Sequence, residues 1–231
     1  MLKDNWIVCD DVDDLTVQLA HQILIIANKS IGLNNEFKIV LAGGRSFTGV
    51  YDILKESKSD WSKWRVYIGD ERCLPMGDRN RNDYIMNKSW LYNGRIPKER
   101  INFIPVELGI QNALRNYNHI LKDVANFDLT LLGMGEDGHT ASLFPDSAYS
   151  NTGESDVLIE RNSPKLPRNR ISMSYSRLNR SKHVFKAVCG HAKANALNLW
   201  LHGGDLPISK IHGHNEKVFV CKNALTAYYL D

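Results

Sequence analysis

Asp137 and His139 lie one residue apart in a glycine-rich loop, and no other part of the sequence predicts chemistry so directly. The loop is part of LGMGEDGHTASLFP at 132–145, which continues an apolar run of the kind that a buried parallel strand shows. A structural loop needs glycines for its turns, but it has no use for an acid and a histidine beside one flexible residue. Histidine changes charge near neutral pH. Alone, His139 also fits a solvated loop histidine; the surrounding pattern favours a site.

A second glycine pair, Gly43 and Gly44, separates a β-branched apolar strand from the start of a helix. Glycines let backbone N–H groups approach an anion, and the positive end of a helix attracts it. Ser46 adds a hydroxyl at the same place. The sequence therefore predicts a phosphate cradle here, although a glycine pair after a strand is also common as a plain tight turn.

Charged residues follow two further predicted strands. DER at 70–72 comes at the end of an apolar strand, and GHAK at 190–193 opens a helix after another. Open α/β sheets bind ligands at the carboxyl ends of their strands, so both segments are candidates for one shared site. For DER the alternative is a solvated turn.

Alternating strand and helix patterns connect these loops. The periodicity predicts strands at 37–42, 64–69, 101–105, 127–132, 170–175, 183–188 and 218–221, and helices at 11–28, 47–54, 113–124 and 224–230, with a short helix ending near 91 and another opening at 190. At 147–167 we expect a polar surface connection. The predicted fold class is α/β, with a Rossmann-like mainly parallel sheet flanked by helices on both faces and a small additional lobe, in a single domain over 1–231.

Composition is that of an ordinary globular protein: 231 residues, 43% hydrophobic and 24% charged. The chain opens without a signal-peptide pattern and has no apolar stretch of the roughly 20 residues that a membrane helix needs. The four cysteines are far apart and form no Cys-x-x-Cys pair, which argues against a disulfide framework and against a zinc knuckle. We expect a cytoplasmic protein without membrane association.

Positive charge is concentrated in one segment. Residues 161–193 hold nine of the 29 basic residues and none of the 26 acidic ones. Such a segment predicts an anionic partner, which can be nucleic acid or a small phosphorylated ligand, or else is a solvated face with no partner. Tyr175 and Phe185 are the aromatic residues there, fewer than a binder that stacks nucleic-acid bases would need.

Taken together, the motifs resemble the 6-phosphogluconolactonase family of sugar-phosphate α/β proteins. LAGGRS at 41–46 is similar to its phosphate turn, GDER at 69–72 to its Asp-Glu-Arg strand end, and GHAK at 190–193 to its Gly-x-x-Lys helix start. The match at 132–145 is the most specific. The motifs occur in the family's order over nearly the whole chain.

The resemblance implies hydrolysis of 6-phospho-D-glucono-1,5-lactone in the oxidative pentose phosphate pathway, without a metal or other cofactor. In that interpretation His139 is the general base, Asp137 orients it, and Gly138 with its neighbours aims N–H groups at the oxyanion. In the same interpretation the phosphate is bound by Gly43, Gly44, Ser46, Arg72 and Lys193, with Arg45 and Arg170 as further candidates. Asp70 holds Arg72 in place, and Asn82 is a supporting residue. The partner is a small phosphosugar lactone rather than nucleic acid, and the protein is a monomer or a homodimer.

Two alternatives remain at the level of sequence. A glucosamine-6-phosphate deaminase-like isomerase shares a similar loop, but its strand end usually reads Asp-Glu-Tyr where this chain has Arg72. A non-catalytic sugar-phosphate-binding protein predicts tight binding without turnover.

Overall fold

The computed structural model describes residues 2–147 and 155–226. The strands are β1 (Trp6–Cys9), β2 (Phe37–Leu41), β3 (Trp64–Ile68), β4 (Asp70–Arg72), β5 (Ile101–Asn102), β6 (Phe127–Gly133), β7 (Val157–Glu160), β8 (Arg170–Met173), β9 (Ser181–Val188) and β10 (Asn215–Cys221). The helices are α1 (Val12–Asn34), α2 (Thr48–Glu56), α3 (Asn82–Ser89), α4 (Ile110–Leu121), α5 (Tyr175–Asn179) and α6 (Ala194–Leu201).

The main sheet has seven strands in the order β1-β10-β9-β6-β2-β3-β5, and all its pairings are parallel. The central strand β6 has the burial pattern that a strand of a parallel sheet requires. Its residues from Phe127 to Leu132 are all buried, as a strand covered on both faces requires. The prediction of a mainly parallel α/β sheet is confirmed.

Helices cover the sheet according to the direction of each crossover. The chain moves along the sheet one way from β1 through β2 and β3 to β5, and the other way from β5 through β6 and β9 to β10. Because such crossovers are right-handed, the first three helices lie on one face and the later ones on the other. In agreement, α2 packs against both α1 and α3.

A second sheet of three strands, β4-β8-β7, is antiparallel and forms the small additional lobe that was predicted. Its β8 pairs with β4 on one side and with β7 on the other, so that Arg170 lies opposite both Arg72 and Glu160. The lobe packs on α4. Residues 70–72 thus leave the end of β3 and enter a different sheet.

Several element boundaries differ from the sequence prediction. Helix α1 is capped by Asp11, whose side chain accepts from the backbone N–H groups of Asp13 and Asp14, but it runs six residues past the predicted end at 28. Strands β1 and β7 were not predicted. A helix was predicted at 224–230. A 3-10 turn at Lys222–Ala224 overlaps only its first residue, and the part after residue 226 lies outside the described residues.

Candidate functional site

The predicted site residues follow strands on either side of the point where the strand order of the sheet reverses. Strands β2 and β6 are neighbours, yet the chain continues from them toward opposite edges of the sheet. In α/β sheets the crevice outside the carboxyl ends of such a strand pair is the usual ligand site. Gly43 and Gly44 follow β2, the His139 loop follows β6, and Lys193 follows the next strand, β9.

The His139 loop folds tightly on itself. The Gly135 N–H donates to the His139 carbonyl at 2.8 Å, and the Gly138 N–H donates to the Gly135 carbonyl at 3.1 Å. A Cβ atom on Gly135 would lie 2.0 Å from His139 Nδ1 and 2.7 Å from Asp137 Oδ1. Only glycine therefore fits behind the acid–histidine pair.

His139 and Asp137 form a direct side-chain pair. Nδ1 of His139 is hydrogen-bonded to Oδ1 of Asp137, and the His139 backbone N–H donates to the same oxygen at 3.3 Å. With Asp137 ionised, Nδ1 carries the proton, so Nε2 has the lone pair that can accept one. The His139 side chain is 16% exposed, which leaves it within reach of solvent.

The protonation state of Asp137 follows from opposing effects. Burial, the largest, raises the pKa of its carboxyl, but the hydrogen bonds and charge of His139 outweigh burial and lower that pKa to about 2. Asp137 is therefore a carboxylate at neutral pH. An ionised acid fixed on one imidazole nitrogen is the arrangement that orients a histidine for proton transfer.

Gly138 supports the loop by its backbone conformation, not by the predicted contact with an oxyanion. Its φ is +80°, its N–H is used inside the loop, and its carbonyl accepts from Ile208 N–H at 3.2 Å. A Cβ there would lie 2.7 Å from Leu206 Cδ1. The N–H groups of Gly135 and His139 are likewise used inside the loop. These three donors therefore do not point at a substrate.

Asp70 holds the loop and not Arg72, contrary to the sequence prediction. Its carboxylate accepts from Ser142 Oγ at 2.6 Å and from Asn82 Nδ2 at 3.1 Å. Arg72 instead donates from Nη1 to the Asn80 carbonyl at 2.5 Å. The physical reason is that both carboxylate oxygens of the buried Asp70 are already paired with nearer donors. Arg72 is only half-buried, and its Nε is buried without a hydrogen-bond partner among the described residues.

Asn82 connects the turn after β2 to this network. A Cβ on Gly43 would lie 2.2 Å from Asn82 Oδ1, so the asparagine packs directly on the glycine. Its Nδ2 donates to the Asp70 carbonyl at 2.8 Å, while its Oδ1 is buried without a partner in the described part of the chain. The contacts therefore run from Gly43 through Asn82 and Asp70 to Ser142, in the loop that carries His139.

The turn after β2, where a phosphate cradle was predicted, depends on glycine at one position. Gly44 has φ +99°, which favours glycine, and a Cβ there would meet nothing within 4 Å. A 3-10 turn, Arg45–Phe47, leads into α2, and the N-cap Phe47 makes no side-chain capping bond. Ser46 is half-buried at this helix start, and the side chain of Arg45 lies outside the described residues.

Arg170 is committed to backbone carbonyls. Its Nε donates to Pro167 at 3.1 Å and its Nη2 to Lys165 at 3.2 Å, and its guanidinium carbon lies 5.6 Å from the centre of the Phe144 ring. Phe144 in turn packs against His139, with ring centres 4.6 Å apart. The structure thus connects Arg170 to His139 through the Phe144 ring and does not leave its guanidinium free for a phosphate.

Lys193 lies at the carboxyl edge on the far side of β6. It ends a 3-10 turn, His191–Lys193, which follows Gly190 at φ +99° and leads into α6. The lysine is half-buried. Its strand, β9, is paired with β6 up to Gly133, so Lys193 and the His139 loop leave neighbouring strand ends.

Sequence reasoning missed three residues of this site: Glu71, Ser142 and Phe144. Glu71 is fully buried and accepts at 2.7 Å from each of three backbone N–H groups, those of Arg72, Asn82 and Asp83. Burial raises the pKa of Glu71 to about 7, although the three N–H groups lower it. In the sequence, Glu71 could be recognised only as an acid between two charged residues at a strand end. Ser142 and Phe144 could be recognised only as part of the motif at 132–145.

Within residues 2–147 and 155–226, no group of three or more His, Cys, Asp or Glu side chains is arranged to hold a metal ion. In the same part of the chain, no helix has the length and apolarity that crossing a membrane requires.

Comparison with known proteins gives consistent matches. The model of the family described as glucosamine-6-phosphate isomerases/6-phosphogluconolactonase matches residues 10–220. The 6-phosphogluconolactonase of Thermotoga maritima is 31% identical over 186 residues, covering 78% of this chain and 82% of that protein. The Mycobacterium leprae 6-phosphogluconolactonase is 35% identical over 173 residues, covering 69% and 70%. The crystal structure of the Thermotoga enzyme superposes with a TM-score of 0.87 at 27% identity, covering 94% of this chain and 99% of that one.

Proposed function

The chain belongs to the glucosamine-6-phosphate isomerase/6-phosphogluconolactonase family, and on that premise we propose that it hydrolyses 6-phospho-D-glucono-1,5-lactone to 6-phosphogluconate. One observation carries the proposal. A histidine paired with an ionised acid and a glycine turn suited to an anion follow two neighbouring strands at the point where the sheet reverses direction. The similarity to the 6-phosphogluconolactonases of Thermotoga maritima and Mycobacterium leprae supports the same substrate class.

In the proposed mechanism, His139 acts through Nε2. It takes a proton from water as the water oxygen attacks the lactone carbonyl carbon. When the tetrahedral intermediate collapses, the bond from that carbon to the ring oxygen breaks, and the imidazolium returns the proton to the departing oxygen. Asp137 keeps Nδ1 protonated and stabilises the imidazolium between the two steps.

The phosphate is held at a distance from this chemistry. Gly44 and the start of α2 offer backbone N–H groups, Arg72 offers the charge of its half-buried guanidinium, and Lys193 offers a point charge from the neighbouring strand end. Binding energy from a group that does not react serves to orient the lactone carbonyl toward the water. Of the basic segment at 161–193, the proposal uses Lys193, while four other members pair with acidic side chains of the same chain: Arg177 and Arg180 with Asp156, Lys182 with Asp128 and Lys186 with Glu216.

The test uses purified protein and freshly generated lactone, with acid release measured above the spontaneous rate. We expect acceleration by the wild type and a fall in kcat of about 10²- to 10⁴-fold in His139→Ala, the usual contribution of a general base. His21→Ala, which removes an exposed histidine on α1, is the matched control and should retain full activity. Absence of acceleration by the wild type would refute the proposed activity; an unchanged kcat in His139→Ala would refute only the role of the base.

Arg72→Ala tests the anchoring half separately. Loss of hydrogen bonds from a charged group costs about 1.5–3 kcal/mol, so KM should rise by roughly 10- to 100-fold with a smaller change in kcat. Arg115→Ala removes the same charge from an exposed site on α4 and should leave KM unchanged. Giving the same preparation glucosamine 6-phosphate tests the isomerase alternative, because release of ammonia in place of acid would favour it.

The pathway follows from the proposed substrate: an oxidation at C1 of a 6-phosphorylated hexose must supply the lactone, as in the oxidative pentose phosphate pathway. The cytoplasmic location and the monomeric or dimeric state stay predictions.

A further inference from the structure

Three of the four cysteines meet at the carboxyl edge of the main sheet, although 180 residues or more separate Cys9 from the other two. Cys9 ends β1 and Cys221 ends β10, and the two are direct partners in the parallel pairing. Cys189 follows β9, one residue beyond the pair Val188 and Val220, and so lies beside Cys221. The Sγ atoms of Cys189 and Cys221 are 2.7 Å apart.

The three thiols differ in access to solvent. Cys9 and Cys221 are fully buried, whereas Cys189 is half-buried. Burial is the main cause that raises the pKa of Cys9 to about 11 and raises the pKa of Cys221 as well. Since the thiolate is the reactive form, neither buried thiol reacts first with an oxidant in solution. The Cys221 Sγ lies 3.1 Å from the Asp11 carbonyl and 2.7 Å from Cys189 Sγ. Because Cys189 is half-buried while the other two are buried, Cys189 is the member that an oxidant in solution can reach.

We propose that Cys189 and Cys221 are a peroxide-sensitive thiol pair that closes into a reversible disulfide and thereby alters the Gly190–Lys193 turn. The Cys189 thiolate attacks one oxygen of a hydroperoxide, the O–O bond breaks, and a sulfenic acid forms. The Cys221 sulfur then attacks the sulfenic sulfur, the S–O bond breaks, and water leaves. With hydrogen peroxide, two thiols and one peroxide give one disulfide and two waters; a dithiol reductant reverses the two-electron change.

The backbone already has the separation that a disulfide needs. Neighbouring strands of a sheet lie about 4.8 Å apart, within the roughly 4.4–6.8 Å that Cα atoms span across a disulfide. The sulfur atoms must approach from 2.7 Å to about 2.0 Å. Closure therefore needs a small shift at the strand ends and no rearrangement of the sheet.

The turn that follows Cys189 is joined to the segment that follows Cys221. The Gly190 N–H donates to Asn223 Oδ1 at 3.1 Å, and the Lys193 N–H donates to the Gly190 carbonyl at 2.9 Å. A covalent bond one residue before Gly190 and two residues before Asn223 shifts both sides of this contact. Resting on the proposed function, in which Lys193 anchors phosphate, closure should raise KM and leave kcat nearly unchanged.

The test starts from the full-length protein reduced with dithiothreitol, with kcat and KM for the lactone measured before oxidation. Hydrogen peroxide is then added, remaining thiols are alkylated, and peptides are identified by mass spectrometry. We expect a 189–221 disulfide, a KM at least threefold higher, and return of both to the starting state with dithiothreitol. Cys189→Ser should keep the starting activity and lose the response to peroxide, while Cys73→Ser, which removes the cysteine outside the cluster, should respond like the wild type.

Each outcome bears on the proposal. No disulfide, or one between Cys9 and Cys221, would overturn the assignment of the pair. A 189–221 disulfide with an unchanged KM would overturn the coupling to the turn. Because the disulfide is read by mass, a reduced protein without lactonase activity would reject the proposed function while the thiol pair is still tested.

Discussion

The two halves of the proposed site, a catalytic half around His139 and an anchoring half that binds the phosphate, are assembled in opposite ways. The catalytic half is local: Gly135, Asp137 and His139 lie within five residues and make their contacts with one another. The anchoring half is distributed, since Asp70 binds Asn82 12 residues away and Ser142 72 residues away. A sequence motif can thus specify chemistry by itself, whereas the position of a substrate depends on how the whole sheet is connected.

Inserting one methyl group into the catalytic half should have the largest effect. In Gly135→Ala the new Cβ would occupy the place of the His139 ring, 2.0 Å from Nδ1, and must displace it. We expect kcat to fall about 100-fold or more, because misplacement of a catalytic group by ~1 Å costs that much, while KM changes little. Steady-state kinetics on the lactone measure both; an unchanged kcat would show that the loop tolerates a side chain there.

The same insertion in the anchoring half should act on binding. In Gly43→Ala the Cβ would lie 2.2 Å from Asn82 Oδ1 and would push the asparagine away from Asp70. We expect KM to rise about tenfold, the effect of losing one net hydrogen bond of ~1.4 kcal/mol, with kcat less affected. Gly32→Ala is the matched control, because its Cβ meets nothing within 4 Å on α1. If Gly43→Ala lowered kcat as strongly as Gly135→Ala, the two halves would not be separable.

Ser142→Ala tests the contact that joins the halves. It removes the 2.6 Å hydrogen bond to the buried Asp70 carboxylate, a type of bond worth about 1.5–3 kcal/mol of unfolding free energy. We expect that loss of stability in urea unfolding, with a KM a few-fold higher. Ser89→Ala removes an ordinary side-chain bond to the Ile85 carbonyl on α3 and should cost less. Equal losses in the two variants would mean that the Ser142 contact has no special weight.

The smallest effect concerns acid stability. The pKa of Asp137 is lower in the folded protein than its ordinary value of 3.8, so its contribution is fully present above pH 4 and is lost as pH falls toward about 2. Asp137→Asn should therefore flatten the loss of stability between about pH 4 and pH 2, by a modest amount because the side chain is 34% exposed. Urea unfolding at several pH values measures it; an identical pH slope in the variant would contradict the pairing with His139.

The main sheet was predictable because its strands carry their own signal. Strands β2, β3, β6 and β9 are runs of buried apolar residues between glycines and helices, and each was predicted to within two residues. Strand β1 was not predicted, although its sequence WIVC is an apolar run; at four residues it is at the lower limit of that signal, and only Cys9 among them is buried.

The lobe was predicted to exist, but its strands were less readable. Residues 70–72 are all charged and become a strand only by pairing with β8, a contact 100 residues away in the sequence. Strand β7 was missed within a polar stretch at 147–167, part of which lies outside the described residues. In this lobe, pairing with a neighbouring strand determines which residues become a strand, and local propensity predicts little.

The sequence named the candidate site residues, but it could not show their individual contacts. The motif gave His139 with Asp137, and the strand ends gave Gly43, Gly44, Arg72 and Lys193. The sequence could not show that Asp70 would bind Ser142 and not Arg72, because that choice depends on which donors the fold brings nearest. The prediction of a single domain, like the phosphate ligands, stays a prediction.

The contact of Gly138 with the segment before β10 determines when this site is completed during synthesis. Leu206 packs against Gly138, and Ile208 donates to its carbonyl, so the loop is held by residues made almost 70 positions later. A chain still on the ribosome and extended only to α6 already contains every residue assigned to the phosphate together with His139. It gains the contacts of Leu206 and Ile208 with Gly138 only when the next segment emerges, so the His139 loop receives this support after the anchoring residues are already made.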